Sequence, residues 1–305
     1  MTPRVSVVVP TRNRLGTLRR ALTGVEAQRF RDFEVLVIDD GSTDGTAAWL
    51  HAERPGVRVL ATGGAGSAAA RNAGIEHARG ELVAFLDDDD VWRPAYLEAQ
   101  VEHLDANPAA ALSWADHFEV GPGGRASRPD TRALLVYASP LVRLLAESFI
   151  HTMSVVVCRR SIFDDFGRFA ERLAIVHDLD WYSRLLAGGG SFVHLERALV
   201  GRGVPGGLVT LHRRWFREER SVLDQAFAAS PAQRMHERMV RAYRSLYFAR
   251  VGLAAGDLLF GLLRLGEAFL TSPHWTVAIA CRRVLRRLQA ERGPEPRDAA
   301  ASNAL

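Results

Sequence analysis

The chain has 305 residues, 48% hydrophobic and 24% charged, an ordinary globular composition with length for one large domain or a domain plus an appendage. Net charge is only +4, and all 39 basic residues are arginine, so the balance points to no nucleic-acid partner. Two widely separated cysteines, Cys158 and Cys281, suit a reducing compartment and buried thiols better than a disulfide framework.

Residues 5–9 form a run of strand length, too short and too soon followed by Pro10 and charge to be a secretory leader, so a cytoplasmic enzyme is expected. After the loop Pro10-Thr11-Arg12-Asn13-Arg14, residues 15–28 read as a helix. A second strand over 34–38 ends at Asp39-Asp40-Gly41-Ser42, and a helix over 43–52 follows with Ser42 or Thr43 as its cap. The third strand is 57–61, the third helix 67–78 and the fourth strand 82–86. Near-continuous apolar strands alternating with helices predict a parallel sheet covered on both faces. Right-handed crossovers then bring the carboxyl ends of these strands to one edge, where Asp39, Asp40 and Asp87 to Asp90 converge. Further on, a helix over 95–106, strands over 110–120, 153–158 and 191–200, and a helix over 178–187 are expected, with a loop over 121–132. From 212 to 290 the pattern is helical and arginine-rich, and the tail 293–305 reads as disordered. The expected division is a catalytic domain over 1–211, a helical region over 212–292 and the tail.

Asp87-Asp88-Asp89-Asp90 is the most informative stretch. Four adjacent carboxylates at the end of a buried-type strand repel one another; a hard divalent cation such as Mg²⁺ or Mn²⁺, bridging to substrate phosphates, would relieve that repulsion and is favoured over a solvated acidic loop. Asp39 at the second strand end is placed to accept from a nucleobase N–H or a ribose hydroxyl. Arg71, on the third helix, faces phosphates or packs its stem on the sheet. Gly64-Ala65-Gly66-Ser67 superficially fits a dinucleotide-binding loop, but it follows the third strand rather than the first. Asp178, in His177-Asp178-Leu179-Asp180-Trp181, is by position a helix-capping carboxylate, or else a base for an acceptor hydroxyl; Trp181 and Leu185 belong to the core.

VSVVVPTRNR (5–14), VLVIDDGSTDG (35–45), ARNAGI (70–75) and FLDDDDVWRP (85–94) resemble, in order and spacing, the successive blocks of the family 2 glycosyltransferases. The resemblance is close over the first hundred residues and weaker to about residue 210. It implies an inverting enzyme of GT-A fold, an α/β architecture with a Rossmann-like, mostly parallel sheet flanked by helices, here followed by a C-terminal helical region. It also implies a nucleotide-diphosphate sugar donor, with a UDP-sugar favoured, a hydroxyl acceptor and Mn²⁺ or Mg²⁺. By the same resemblance Pro10, Thr11, Arg14, Asp39, Arg71, Asp87 and Asp88 are donor-binding positions, Asp89 of the Asp-any-Asp motif ligates the metal, and Asp178 is the general base. Asp90, His177, Asp180, Arg202 and His212 are supporting candidates.

Two departures stand out. Histidine, not glutamate, precedes the expected base, and Val204 stands where many members carry a histidine that contacts the diphosphate or metal, with His212 a distant substitute. They motivate a second reading, a non-catalytic nucleotide-sugar binder. A sugar-phosphate nucleotidyltransferase would want a glycine-rich loop after the first strand, and residues 10–14 contain no glycine. Near the C-terminus, Val277, Cys281, Val284, Leu285 and Leu288 recur at helical spacing with arginines opposite, which suits either packing on the catalytic domain or peripheral contact with a membrane surface.

Overall fold

The computed structural model describes residues 2–120, 126–127, 137, 139–203 and 211–291. The chain falls into two compact units: Met1–Thr131 with Ser148–Ser230, and Arg132–Glu147 with Pro231–Leu305.

The first unit is built on one sheet. Strands β1 (Val5–Thr11), β2 (Phe33–Asp39), β3 (Arg58–Ala61) and β4 (Leu82–Phe85) alternate with helices α1 (Leu15–Glu26), α2 (Thr46–Glu53) and α3 (Ser67–His77). All four strands are parallel, with β1 between β2 and β4 and β3 outside β2, as the apolar runs predict. Beyond them come β5 (Val91–Trp92), α4 (Tyr96–Ala106), β6 (Leu112–Val120) and β7 (Ala126–Ser127). After α5 (Pro140–Glu147), which belongs to the second unit, follow β8 (Val156–Arg159), α6 (Ile162–Phe166), α7 (His177–Ala187), β9 (Phe192–Arg202) and α8 (His212–Ala229). The strand order is β3-β2-β1-β4-β8-β6-β9-β5, with β7 paired to β6. β8 is antiparallel to both β4 and β6, so the chain reverses direction beside the acidic strand end.

Burial explains the order. Val5, Val7, Val8 and Val9 are completely buried, as are Leu82 to Leu86. α1 covers the sheet with Leu18, Ala21, Leu22 and Val25, and α3 with its alanines and Ile75. Phe85, Phe163, Phe169 and Trp181 form an aromatic cluster, with Phe163 stacked on Trp181 at 5.1 Å. That cluster fixes the start of α7 relative to the end of β4. Trp181 and Leu185 are core residues as expected.

Several local expectations change. The cap of α2 is Gly45, in a left-handed conformation, rather than Ser42 or Thr43; Asp44 instead ties Thr46 and the Leu15 N–H together. Residues 153–155 make a short 3₁₀ turn before β8 rather than the beginning of a strand. α5 and α6 are not expected from the sequence pattern. The domain boundary also differs. α8 packs on α7, with Glu218 accepting from the Ile175 N–H at 2.9 Å, so the first unit runs to Ser230 rather than stopping at 211. The loop expected over 121–132 lies largely outside the described residues, and the disordered tail expected over 293–305 lies wholly outside them.

The second unit is helical: α5 and α11 (Pro273–Glu291) both pack on α9 (Glu237–Ala254), as does α10 (Leu258–Thr271). Leu141, Leu144 and Leu145 from α5 join Val240, Phe248, Ala268 and Ile279 in its core. On α11, Val277 and Cys281 are exposed rather than packed; the side chains of Val284, Leu285 and Leu288 lie outside the described residues.

Candidate active site

A cavity of about 560 Å³ opens at the carboxyl edge of the first unit's sheet. That is the size of a small-molecule site. Its lining includes Pro10, Thr11 and Arg14 from the β1 end, Arg71 from α3, Asp87 to Asp90 after β4, and His177 and Asp178 from α7.

The four aspartates have four different tasks. Asp88 is buried and accepts from the Thr11 hydroxyl at 2.7 Å and from Arg14 at 3.0 Å. Burial raises its pKa, and those two partners offset only part of the effect. Arg14 also reaches Asp89 at 2.9 Å, and Asp89 keeps a third of its side chain exposed. Asp87 accepts from Arg71 and, at 3.1 Å, from the Thr152 hydroxyl. Asp90 accepts from the same hydroxyl at 2.8 Å and from the Gly203 N–H at 2.9 Å. Burial first, then the negative charge of Asp87, raises the pKa of Asp90. A hydroxyl has a single proton, so Thr152 satisfies two carboxylates best when Asp90 carries a proton of its own.

Arg71 connects this edge to α7. Its guanidinium is buried, donates to Asp87, and donates to His177 Nε2 at 2.7 Å. Since arginine only donates, Nε2 must be the acceptor and the imidazole proton sits on Nδ1. Burial and the adjacent Arg71 push the His177 pKa down to about 3, so the ring is neutral. Asp178 lies in the first turn of α7, where Val176 is the cap residue, and its Oδ1 accepts from the Leu179 N–H at 2.8 Å. Burial is the main reason its pKa is raised to about 6; the Leu179 amide and Arg71 pull it down and Asp87 pushes it up. The result is a carboxylate that is ionised at neutral pH and basic enough to take a proton.

Not every sequence candidate reaches the cavity. Asp39 is buried and holds the turn through the Ser42 N–H at 2.8 Å, outside the lining. Its neighbour Asp40 is the lining residue, and it is committed to protein partners: the Thr62 hydroxyl and the N–H groups of Gly64, Ala65 and Gly66. Burial alone would raise its pKa, but these four donors lower it. Gly64 and Gly66 have φ of +91° and +97°, which turns their amides inward. The loop that mimics a dinucleotide-binding fingerprint therefore spends its amides on Asp40. Asp180 is buried against Arg184 at 3.0 Å, a helix ion pair away from the lining. His212 is buried at the start of α8, also away from it. Arg202 lines the cavity and bonds Glu119 at 3.4 Å; Val204 lies outside the described residues. Arg12, His151, Thr152 and Met153 line the site without having been singled out in the sequence.

Among the described residues no three His, Cys, Asp or Glu side chains are grouped to cage a metal ion. The partly exposed carboxylates of Asp87 and Asp89 still offer hard oxygen donors at the cavity. That donor set fits Mg²⁺ or Mn²⁺ held by one or two carboxylates and completed by substrate phosphates and water.

Residues 6–170 match the family described as Glycosyl transferase family 2. The chain is 34% identical over 181 residues to the succinoglycan biosynthesis protein ExoW of Rhizobium meliloti (strain 1021), an alignment covering 53% of this chain and 56% of ExoW. It thus spans about half the length of such curated relatives. The fold is similar to that of S. aureus TarS 1-349 in complex with UDP-GlcNAc, with a TM-score of 0.65 at 19% identity, covering 94% of this chain and 87% of the other. It is also similar to the mannosyltransferase PcManGT from Pyrobaculum calidifontis in complex with GDP-Man and Mn²⁺, with a TM-score of 0.56 at 21% identity, covering 94% and 88%. The architecture expected from the sequence, a GT-A-type α/β unit with helices following it, is therefore the one found. With more than half of its length matched and its acidic strand end at the sheet's carboxyl edge, the chain belongs to glycosyl transferase family 2.

Proposed function

We propose that the first unit transfers a sugar from a nucleotide-diphosphate donor, with a UDP-sugar favoured, to an acceptor hydroxyl with inversion at the anomeric carbon. The observation that carries this reading is that Asp178, with its pKa raised to about 6, lines the same cavity as the Asp87 to Asp90 run. The complexes of TarS with UDP-GlcNAc and of PcManGT with GDP-Man and Mn²⁺ support the donor class.

In this reading Pro10, Thr11 and Arg71 contact the nucleotide, Asp87 faces its ribose and Asp89 would hold the cation. A bound divalent ion would neutralise charge accumulating on the leaving diphosphate. Asp178 takes the proton of the acceptor hydroxyl as its oxygen bonds to the anomeric carbon and the bond to the diphosphate breaks. Arg71 keeps its positive charge between Asp87 and His177 throughout, which holds the donor-side carboxylate and the start of α7 in fixed relation. The second reading, nucleotide-sugar binding without turnover, draws on the neutral His177 where the family commonly has an acid.

Calorimetric titration with nucleoside diphosphates, each with and without Mn²⁺, tests the donor site, and product formation from the matching nucleotide sugar tests turnover. Metal-dependent binding with turnover that Asp178→Asn abolishes is the expected result. Binding without turnover would favour the second reading, and no binding at all would end both.

A further inference from the structure

The outer face of α10 is apolar and uncovered. Leu258, Leu259, Leu262, Leu263, Phe269 and Leu270 are between 45% and 86% exposed, whereas Phe260, Gly261 and Ala268 turn inward. Large side chains at this spacing make one continuous apolar stripe, of a kind that single exposed leucines do not explain. The helix is nonetheless well specified. Asp257 caps it by accepting from the Phe260 N–H at 3.2 Å, and its two charged residues, Arg264 and Glu267, pair with each other. The stripe is therefore free of charge along its length.

The segment that carries it is basic. Residues 231–291 contain ten arginines against four acids, a formal charge of +6. Arg238 donates to the carbonyl of Thr271, next to Leu270, at 3.1 Å; Arg283 lies over the Tyr243 ring and Arg250 over that of Tyr247. None of these three contacts neutralises the guanidinium. Meanwhile Glu237 and Glu267 are each paired to an arginine and Asp257 is used as a cap. An uncharged leucine face on a helical segment of net positive charge is the pattern of a helix that lies in a lipid interface.

We propose that α10 docks the protein on an anionic membrane surface. The inference is independent of the catalytic reading. At fourteen residues α10 is about 21 Å long, and no described helix is long and apolar enough to cross a bilayer, so the helix lies on the surface. Pairing with a second copy would also cover the leucines, but it would press two basic units together, whereas an anionic bilayer supplies the opposite charge.

The test is flotation of the full chain with phosphatidylcholine vesicles, with and without 30 mol% phosphatidylglycerol. Flotation is expected with the anionic vesicles, at least about tenfold more than with neutral ones, and weakened by salt. The triple variant Leu259→Gln, Leu262→Gln and Leu270→Gln changes only exposed positions to good helix formers, so its melting temperature should hold while flotation falls about tenfold or more. Arg238→Gln and Arg250→Gln should each cost roughly fivefold. Hydrogen exchange on the unmodified chain gives an independent reading: slower exchange over Leu258 to Leu270 with anionic vesicles supports the proposal even if the triple variant does not fold. Absence of flotation, equal flotation of the triple variant, or a dimer that the triple variant abolishes without any lipid binding would each overturn it.

Discussion

Replacing Asp178 by asparagine should make the protein more stable and inactive at once. The carboxyl pKa stands at about 6 in the fold against an ordinary 3.8, with burial the chief cause. The folded state therefore binds the extra proton between those values, so Asp178 weakens the fold as pH rises from 4 to 6, and the full penalty is present above 6. The difference corresponds to about 3 kcal/mol. Because Asp178 lines an open cavity where water reaches it, about 1–2 kcal/mol is the expected gain for the neutral, near-isosteric asparagine at pH 7.5. Urea unfolding of the two proteins at pH 7.5 and pH 4 measures it. The variant should have the higher midpoint at pH 7.5 and no advantage at pH 4, while transfer falls by a factor of about 10²–10⁴. A stability difference that does not depend on pH would show that the fold does not raise the carboxyl pKa, and undiminished transfer would remove it as the base.

His177→Glu adds a negative charge beside Asp178 and takes up part of Arg71, so the acid limb of the kcat profile should move to higher pH by about one unit; an unmoved limb would disconnect His177 from the base. Asp89→Ala should leave the melting temperature within a degree or two, since Asp89 is partly exposed and Arg14 retains Asp88, but should erase the Mn²⁺ dependence of nucleoside-diphosphate binding in calorimetry. Asp40→Ala strands four donors and should cost about 2–4 kcal/mol at pH 7, lowering the melting temperature by about 5–10 °C. Its folded pKa lies below 3.8, so that contribution is present above 3.8 and is lost as pH falls further. Gly80→Ala would place a Cβ 2.6 Å from Ser6 N and 2.8 Å from Val5 C, backbone atoms of the central strand, and should destabilise by about 1–3 kcal/mol in the same melting assay.

The parallel half of the sheet was legible because its strands are buried on both faces and so carry unbroken apolar runs, such as residues 5–9 and 82–86. The acidic run was legible for a related reason: carboxylates directly after such a strand have nowhere to be except the sheet's carboxyl edge. Choosing between Asp39 and Asp40 was beyond the sequence, since adjacent residues at a strand end point to opposite sides and the following turn decides which one meets the cavity. Asp180 could have been recognised as structural, because Arg184 follows it by four residues on a helix. His151 and Thr152 carry no local signature. They arrive through the antiparallel β8, a pairing between segments about seventy residues apart that no short pattern encodes. The break after Ser230 was hidden for the same reason, since α8 looks like the helices beyond it and only its packing on α7 sets it apart.

The commitment of Asp40 to the amides of Gly64, Ala65 and Gly66 bears on how the cavity would pay for ligand capture. A glycine-rich loop normally orders around the phosphate it binds, and the ordering entropy is charged against affinity. Here the carboxylate already plays the anion's part, so this wall is preorganised before any ligand arrives. If the proposed donor reading holds, selectivity among phosphorylated ligands would be set elsewhere in the cavity, whose lining also includes Arg14, Arg71 and the partly exposed carboxylates.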